Sequence, residues 1–350
     1  MKPFSPATCR ATTFRILAIA LRTPTTSYAA KGADATALLD GFTISGGNAN
    51  GPNPLDRGGG IRNYLTLSRA IFRNLVIRDN SGGVSAPPIT PTTMRGGAGI
   101  YNDHTQNQYV NCLITGNRSS HRGGGVYNNG SVYLDGIGTS PQFINCTITA
   151  NHASTSAGGV FNTGLANPTI TNTIIWANTH GGTPNVGAQI IPLAGVVLRY
   201  SHVQNLTTNF FPDPTNSALD PHFVDLDGAD NMLGTPDDDL RLSDASPCIN
   251  AGDPATVTDP ADIDLANAPR LTGCRVDIGA YESVVDQLFA DFNDDGAVDM
   301  HDFSAFQRCF GTPQSGFSWS PACLCVFDAQ PNDTVDLPDA EAFRQLLTGP

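Results

Sequence analysis

Residues 291–302, DFNDDGAVDMHD, set oxygen-bearing side chains at loop positions 1, 3, 5, 9 and 12, with glycine at position 6. This spacing converges hard ligands on one divalent cation. Asp291, Asn293 and Asp295 supply one side, the Ala297 carbonyl follows, and Asp299 and Asp302 close the far side, while Gly296 permits the sharp turn. Calcium is the cation that an all-oxygen loop of this length takes. A second, poorer copy, DAQPNDTVDLPD, covers 328–339. It keeps Asp328, Asn332, Asp336 and Asp339, offers Gln330 at position 3 and Thr334 at position 7, and has Asp333 where glycine belongs. Each loop runs into a short apolar stretch of helical period, Phe303, Phe306 and Phe310 after the first, and Ala342, Phe343, Leu346 and Leu347 after the second. Two loop–helix units facing each other are expected.

Both loops end on aspartate where an EF-hand usually ends on a bidentate glutamate, and no clear helix precedes either loop. In these respects residues 286–350 resemble a type I dockerin, a module whose duplicated DxNxDGxVDxxD loop and following helix bind a cohesin partner. The resemblance implies calcium on Asp291, Asn293, Asp295, Asp299 and Asp302, and on Asp328, Gln330, Asn332, Asp336 and Asp339. It also implies that Met300, His301, Leu337 and Pro338 select a cohesin-like or other cell-surface protein.

The charge is unevenly distributed along the 350 residues. Residues 1–218 carry 7 acids and 14 Lys or Arg, residues 219–285 carry 14 and 3, and residues 286–350 carry 11 and 2. The acidity belongs to the C-terminal third, which argues against nucleic-acid binding there. Among the eight cysteines no paired CxxC motif suggests zinc, so disulfides are expected. Cys309 could pair with Cys323 or Cys325, and Cys248 with Cys274; an oxidising, exported setting suits both. Lys2, Arg10 and Arg15, the apolar run 16–21 and the small residues at 28–30 partly match a signal peptide, although Arg22 cuts the run short. Residues 1–37 are read as that signal or as a partial cap, with the alternative that the natural chain starts further upstream. No stretch approaches the length of a membrane span.

Between residues 38 and 205 one phrase recurs. GGGIRN, GAGIYN, GGGVYN and AGGVFN are followed by FRNLVIRDN, YVNCLITGN, FINCTITAN and ITNTIIWAN. LLDGFTISGGN (38–48) and IIPLAGVVLRYSHVQN (190–205) read as half-turns before and after these copies. Each unit has the length of one solenoid coil, and apolar and polar residues alternate within it as strands require. Stacked coils would form two asparagine ladders, Asn74, Asn111, Asn145 and Asn172 in one, and Asn80, Asn117, Asn151 and Asn178 in the other. Cys112 and Cys146 share one repeat position and are expected to stack inward. The pattern resembles right-handed parallel β-helix proteins, in particular the polymorphic outer-membrane-protein repeat with its GGA(I/V) and FxxN signatures.

Many parallel β-helices are polysaccharide lyases or glycoside hydrolases, chemistry that would need a catalytic set within residues 38–218. Their acids are Asp40, Asp56, Asp79, Asp103, Asp135 and Asp213, and none repeats at strand-face spacing as a hydrolase pair would require. Asp79 with Arg78, or Asp103 with His104 and Arg122, is the best lyase set available, and solvated loop positions explain these residues more simply. His121 lacks an obvious carboxylate partner. Tyr101, Tyr127, Phe161 and Trp176 are the aromatics that could stack on sugars, although the shared repeat position of the first three favours a ladder.

Residues 219–285 leave the repeat. A DxDGxD turn at Asp225, Asp227 and Asp230, with Asp237, Asp238 and Asp239 beyond it, could close on another calcium. SPCINAGDP and DIGAYE resemble the choice-of-anchor Q segment that follows β-helix repeats in exported bacterial proteins. A cap over the exposed strand edges of the last coil is expected.

The sequence therefore predicts a mainly β protein in four parts: an N-terminal segment (1–37), a right-handed parallel β-helix (38–218), an acidic cap or anchor segment (219–285) and a paired calcium-loop domain (286–350). It is expected to be a secreted or cell-surface monomer that docks to a cohesin-like partner, its solenoid binding carbohydrate or protein. The alternative is a polysaccharide lyase or glycoside hydrolase carried by the tail.

Overall fold

The computed structural model describes residues 35–51, 55–64, 68–83, 96–131, 138–181, 186–207, 209–256, 262–271, 275–283, 290–292, 297–310, 326–327 and 335–347. Short strands of two to five residues stack in parallel, in register, into four sheets. The first holds Leu38–Asp40, Ile71–Arg73, Gln108–Val110, Gln142–Ile144, Thr169–Thr171 and Val197–Arg199. The second holds Thr43–Ser45, Val76–Arg78, Leu113–Thr115, Thr147–Thr149, Ile174–Trp176 and His202–Val203. The third contains Asn48–Ala49, Ser81–Gly82, Arg118–Ser119, His152–Ala153 and Thr179–His180. The fourth contains Ile61–Tyr64, Ile100–Asp103, Val126–Gly130 and Val160–Gly164. This is a parallel β-helix solenoid. The segments at 38–49 and 197–203 take part as coils with several strands each, going beyond the expected half-turns.

Alternation along each strand sends one column of side chains inward. Phe72, Tyr109 and Phe143 stack with ring centroids 5.0 and 4.8 Å apart, continued by Ile170 and Leu198. Ile44, Ile77, Ile114, Ile148, Ile175 and Val203 form the matching column of the second sheet. Residues that share a repeat position thus meet their own kind, and the core is one continuous apolar strip.

The turns between sheets explain the asparagines. Asn74, Asn111, Asn145 and Asn172 have φ of 49–52°, the left-handed region that asparagine tolerates. Asn111 donates to Asn74 Oδ1 at 3.2 Å and Asn172 to Asn145 Oδ1 at 3.0 Å. The second ladder is fully buried and unbroken, with side-chain bonds Asn80 to Asn117, Asn117 to Asn151 and Asn151 to Asn178 of 2.9–3.0 Å. It continues through Gln189 to Gln204. A third ladder, unassigned from sequence, uses the asparagine of the glycine phrase, Asn63 donating to Asn102, Asn102 to Asn128 and Asn128 to Asn162. Tyr109 reaches it from the core and donates to Asn102 Oδ1 at 2.7 Å.

Residues 205–217, not the acidic segment, finish the last described coil. Ser217 bridges to His202, and Phe211 enters the main core. The described residues between 219 and 283 instead run back along the outside of the stack. Thr147 Oγ1 accepts from Ala280, Asn111 donates to Ile263 O, and Arg73 lies 3.6 Å from Asp262. Asn172 is held from both sides, its side chain donating to Asp253 O and accepting from Asp253 N–H. Two close approaches need glycine. At Gly279, with φ +115°, an added Cβ would sit 2.9 Å from Ile174 Cδ1, and one on Gly116 would sit 2.2 Å from Gly234 O. Trp176, Ile174, Leu242, Cys248, Ile249 and Ile278 make a second apolar cluster beneath this strap. The expected cap is therefore a lateral strap. Its own backbone hydrogen bonds across single coils decide this, and they leave no periodic trace in the sequence.

Cys112 and Cys146 are buried free thiols, each donating to a carbonyl of the neighbouring coil, as the shared repeat position suggests. Cys248 is also a free buried thiol, which overturns its expected pairing; Cys274 lies outside the described residues. Burial raises the Cys248 thiol to about 12, so it stays protonated as a small core group. Residues 1–34, with the signal-like stretch, also lie outside the described residues.

Candidate functional site

The tail has its own core of Ala290, Val298, Ala305, Phe306, Cys309, Val326, Phe327, Val335 and Phe343. Helices Met300–Cys309 and Leu337–Leu346 follow the two loops. Several residues at equal positions of the two copies sit in equal environments. Val298 and Val335 are buried, and Phe306 and Phe343 are buried and stacked on each other at 4.8 Å. Phe292 stacks on Phe327 at 5.6 Å, and Phe327 meets the Phe306 ring edge-on at 5.3 Å. The second helix departs from the expected stripe. Ala340, Phe343 and Leu347 face the core, whereas Leu346 is 41% exposed. Leu346 occupies the position of Cys309, which is disulfide-bonded; Cys323 and Cys325, its two expected partners, lie outside the described residues.

The last ligand of each loop doubles as a helix cap. Asp302 is fully buried; its Oδ1 accepts from the Phe292 N–H at 2.7 Å and its Oδ2 from the Asp299 N–H at 2.9 Å. Asp339 is fully buried too, and accepts from the Asp336 N–H at 2.8 Å. Both pairs, Asp299 with Asp302 and Asp336 with Asp339, close capping boxes at the helix N-termini. Hydrogen bonds from His301, the backbone N–H first, hold the Asp299 carboxyl below its usual range. Asp291 is buried at the loop start, and Ala297 is exposed. Asn293, Asp295, Asp328, Gln330, Asn332 and Thr334 lie outside the described residues, so the structure brings Asp291 and Asp302 near one backbone turn and is silent on the rest of both ligand sets.

Among the described residues, those of the tail included, no three His, Cys, Asp or Glu side chains gather as a metal site. The Asp225–Asp239 turn uses its carboxylates internally. Asp230 N–H donates to Asp237, Gly234 N–H to Asp238, and Thr235 Oγ1 lies within 2.7–3.3 Å of Asp230, Asp237 and Asp238. Arg241 pairs with Asp239. The strap also buries a polar knot around RVDIGAYE. Arg270, 1% exposed, donates to the carbonyls of Asp277 and Gly279 and lies 3.4 Å from Glu282. Burial outweighs that arginine and pushes Glu282 up to about 9.

The aromatics that share a repeat position form the favoured ladder and do not present a sugar-stacking face. Tyr101, Tyr127 and Phe161 form a buried stack with centroids 5.2 and 4.9 Å apart, flanked by Arg57 over Tyr101 and Arg122 over Phe161. Trp176 is buried beneath the strap. Of the lyase candidates, Asp79 pairs with Arg78 at 3.6 Å on the surface, and Asp103 is buried, accepting from Tyr101 OH at 3.4 Å. Asp40 is held by Arg73 and Asn74, and Asp213 by Thr215. Asp135 lies outside the described residues. Comparison with protein-family models, curated proteins and solved structures finds no match.

Proposed function

We propose that this chain is an exported β-helix protein whose calcium-loop tail docks it to a cohesin-like or cell-surface partner, leaving the solenoid as a carbohydrate- or protein-binding surface. The observation that carries the reading is the pair of fully buried loop-closing carboxylates, Asp302 and Asp339, in matching capping boxes. Burying carboxylates is costly, a bound cation would offset that cost, and the tail's Arg308, Arg344 and His301 are all exposed. Such an oxygen-only, buried donor set suits calcium, which would neutralise the loops when bound. Asp291, Asn293, Asp295, Asp299 and Asp302 would hold one ion, with Ala297 offering its carbonyl, and Asp328, Gln330, Asn332, Asp336 and Asp339, with Thr334, a second.

Asp302 ties the start of its loop to the helix by accepting from both Phe292 and Asp299, so ion binding and helix position are linked. That linkage would present Met300 and Leu337, 64% and 74% exposed at equivalent helix starts, as a paired docking surface. Melting of the full chain with calcium and with chelator tests the reading. Calcium should raise the temperature of a distinct tail transition and leave the solenoid transition in place; identical melts would refute it.

A further inference from the structure

The outward positions of the third sheet are Asn48, Ser81, Arg118, His152 and Thr179, one per coil in parallel register. Ser81 donates to Asn48 Oδ1 at 3.0 Å, and His152 Nδ1 meets Thr179 Oγ1 at 3.0 Å. Arg118, in the middle of the row, is exposed and has no ion-pair partner among the described residues. His121, in the turn beyond it, lies 3.3 Å from Thr155 Oγ1. Residues 46–51, 80–83, 117–123, 151–156 and 178–181, which build this face and its turns, include no Asp or Glu. The neighbouring acids are engaged elsewhere, Asp79 with Arg78 at the corner, buried Asp56 beside Arg57, and, in the strap turn whose Gly234 abuts Gly116 and Ala150, Asp237 and Asp238 with the Asp230 and Gly234 N–H groups. In a chain of net charge −13 this is a cationic, histidine-bearing strip.

We propose that this strip binds an anionic polysaccharide, Arg118 and His152 holding its carboxylate or sulfate groups while Ser81 and Thr179 meet its hydroxyls. The proposal rests on the reading of the solenoid as a glycan surface. Coils about 4.8 Å apart make the five-coil row about 19 Å long, a periodic track that suits a polymer with regularly repeated charges. Nucleic acid fits less well, because phosphate-backbone binding draws on several Lys or Arg, and the row holds one. Burial, with Arg118 and His180 adding to it, lowers the His152 pKa below the usual histidine value. His152 is therefore neutral at pH 7, and an anion beside it draws a proton onto the ring. Besides His152, the charged or titratable groups facing the strip are Arg118, His121 and His180, with Arg78, Asp79 and Arg122 at its borders and Asp230, Asp237 and Asp238 in the strap turn beside Gly116 and Ala150.

The test is binding of polygalacturonate, dextran sulfate, neutral dextran and single-stranded DNA to the calcium-loaded full chain at pH 5.5 and 8. The expected result is that one or both anionic glycans bind, more tightly at pH 5.5, and that Arg118→Gln weakens binding about tenfold with His152→Gln removing the pH dependence. Which of the two glycans binds distinguishes carboxylate from sulfate recognition. Neutral dextran bound equally well, unaffected by Arg118→Gln, would overturn the proposal and leave the broader glycan reading standing. No glycan binding at all would overturn both, and DNA bound as tightly as the glycans would overturn the polysaccharide class. Unchanged circular dichroism spectra establish that both variants fold.

Discussion

In the solenoid, buried polar groups satisfy one another by repetition. Asn80, Asn117, Asn151 and Asn178 each pass a side-chain hydrogen bond to the next coil and also donate to a backbone carbonyl. In the tail, buried polar groups are carboxylates, Asp291, Asp302 and Asp339, and two of them accept from backbone N–H groups at helix starts. The ladder from Asn80 to Asn178 is neutral and complete within the chain. Burying carboxylates at the loop ends carries a cost that a bound cation would offset. On the proposed calcium reading, one region stands alone and the other responds to its surroundings.

Substitutions that damage one region and spare the other break this comparison most sharply. Asn117→Ala removes bonds to Ile77 O, Thr115 O and Asn151, and leaves Asn80 without its acceptor. Urea unfolding should show a loss of about 3–5 kcal/mol in the solenoid transition, with the calcium response of the tail unchanged. Trp176→Ala empties the cluster under the strap and should cost about 3 kcal/mol, read out as early proteolytic release of residues 219–283. Asp302→Ala should cost about 1 kcal/mol in chelator through the lost cap, and should abolish the upward shift of the tail transition with calcium.

Smaller effects sharpen the comparison through pH. Glu282 has its folded pKa raised above the unfolded value of about 4.5, so the folded chain holds a proton that the unfolded chain releases. Its contribution to stability is fully present below pH 4.5 and is lost as pH rises towards about 9. Glu282→Gln should flatten the stability profile across that window, measured by denaturant midpoints at pH 5, 7 and 9. The smallest expected effect belongs to Arg344→Gln, which breaks an exposed pair with Glu341 and should leave both melting transitions in place.

The solenoid was legible because its information repeats. Shared positions of Phe72, Tyr109 and Phe143, or of Asn117 and Asn151, announce their stacking through spacing alone. The third ladder was visible as the asparagine of each glycine phrase, but spacing does not say whether such an amide faces water or the next coil. The shared repeat position of Tyr101, Tyr127 and Phe161 points to their ladder, whereas Trp176 is covered by strap residues distant in sequence, which spacing does not reveal. The strap itself is held by single contacts, such as Asn172 with Asp253, that carry no period. In the tail, the duplicated spacing foretold the packing of Phe306 on Phe343. It did not foretell that Asp302 caps a helix as well as ending a loop, since both roles ask for the same residue type.

Calorimetric titration of the full chain with calcium, wild type beside Asp302→Ala, tests the account most directly. Saturable calcium uptake by the wild type, lost from the first loop in Asp302→Ala while the solenoid melt stays fixed, is the predicted result. No binding heat and no change in melting for the wild type, or uptake unchanged in Asp302→Ala, would contradict it.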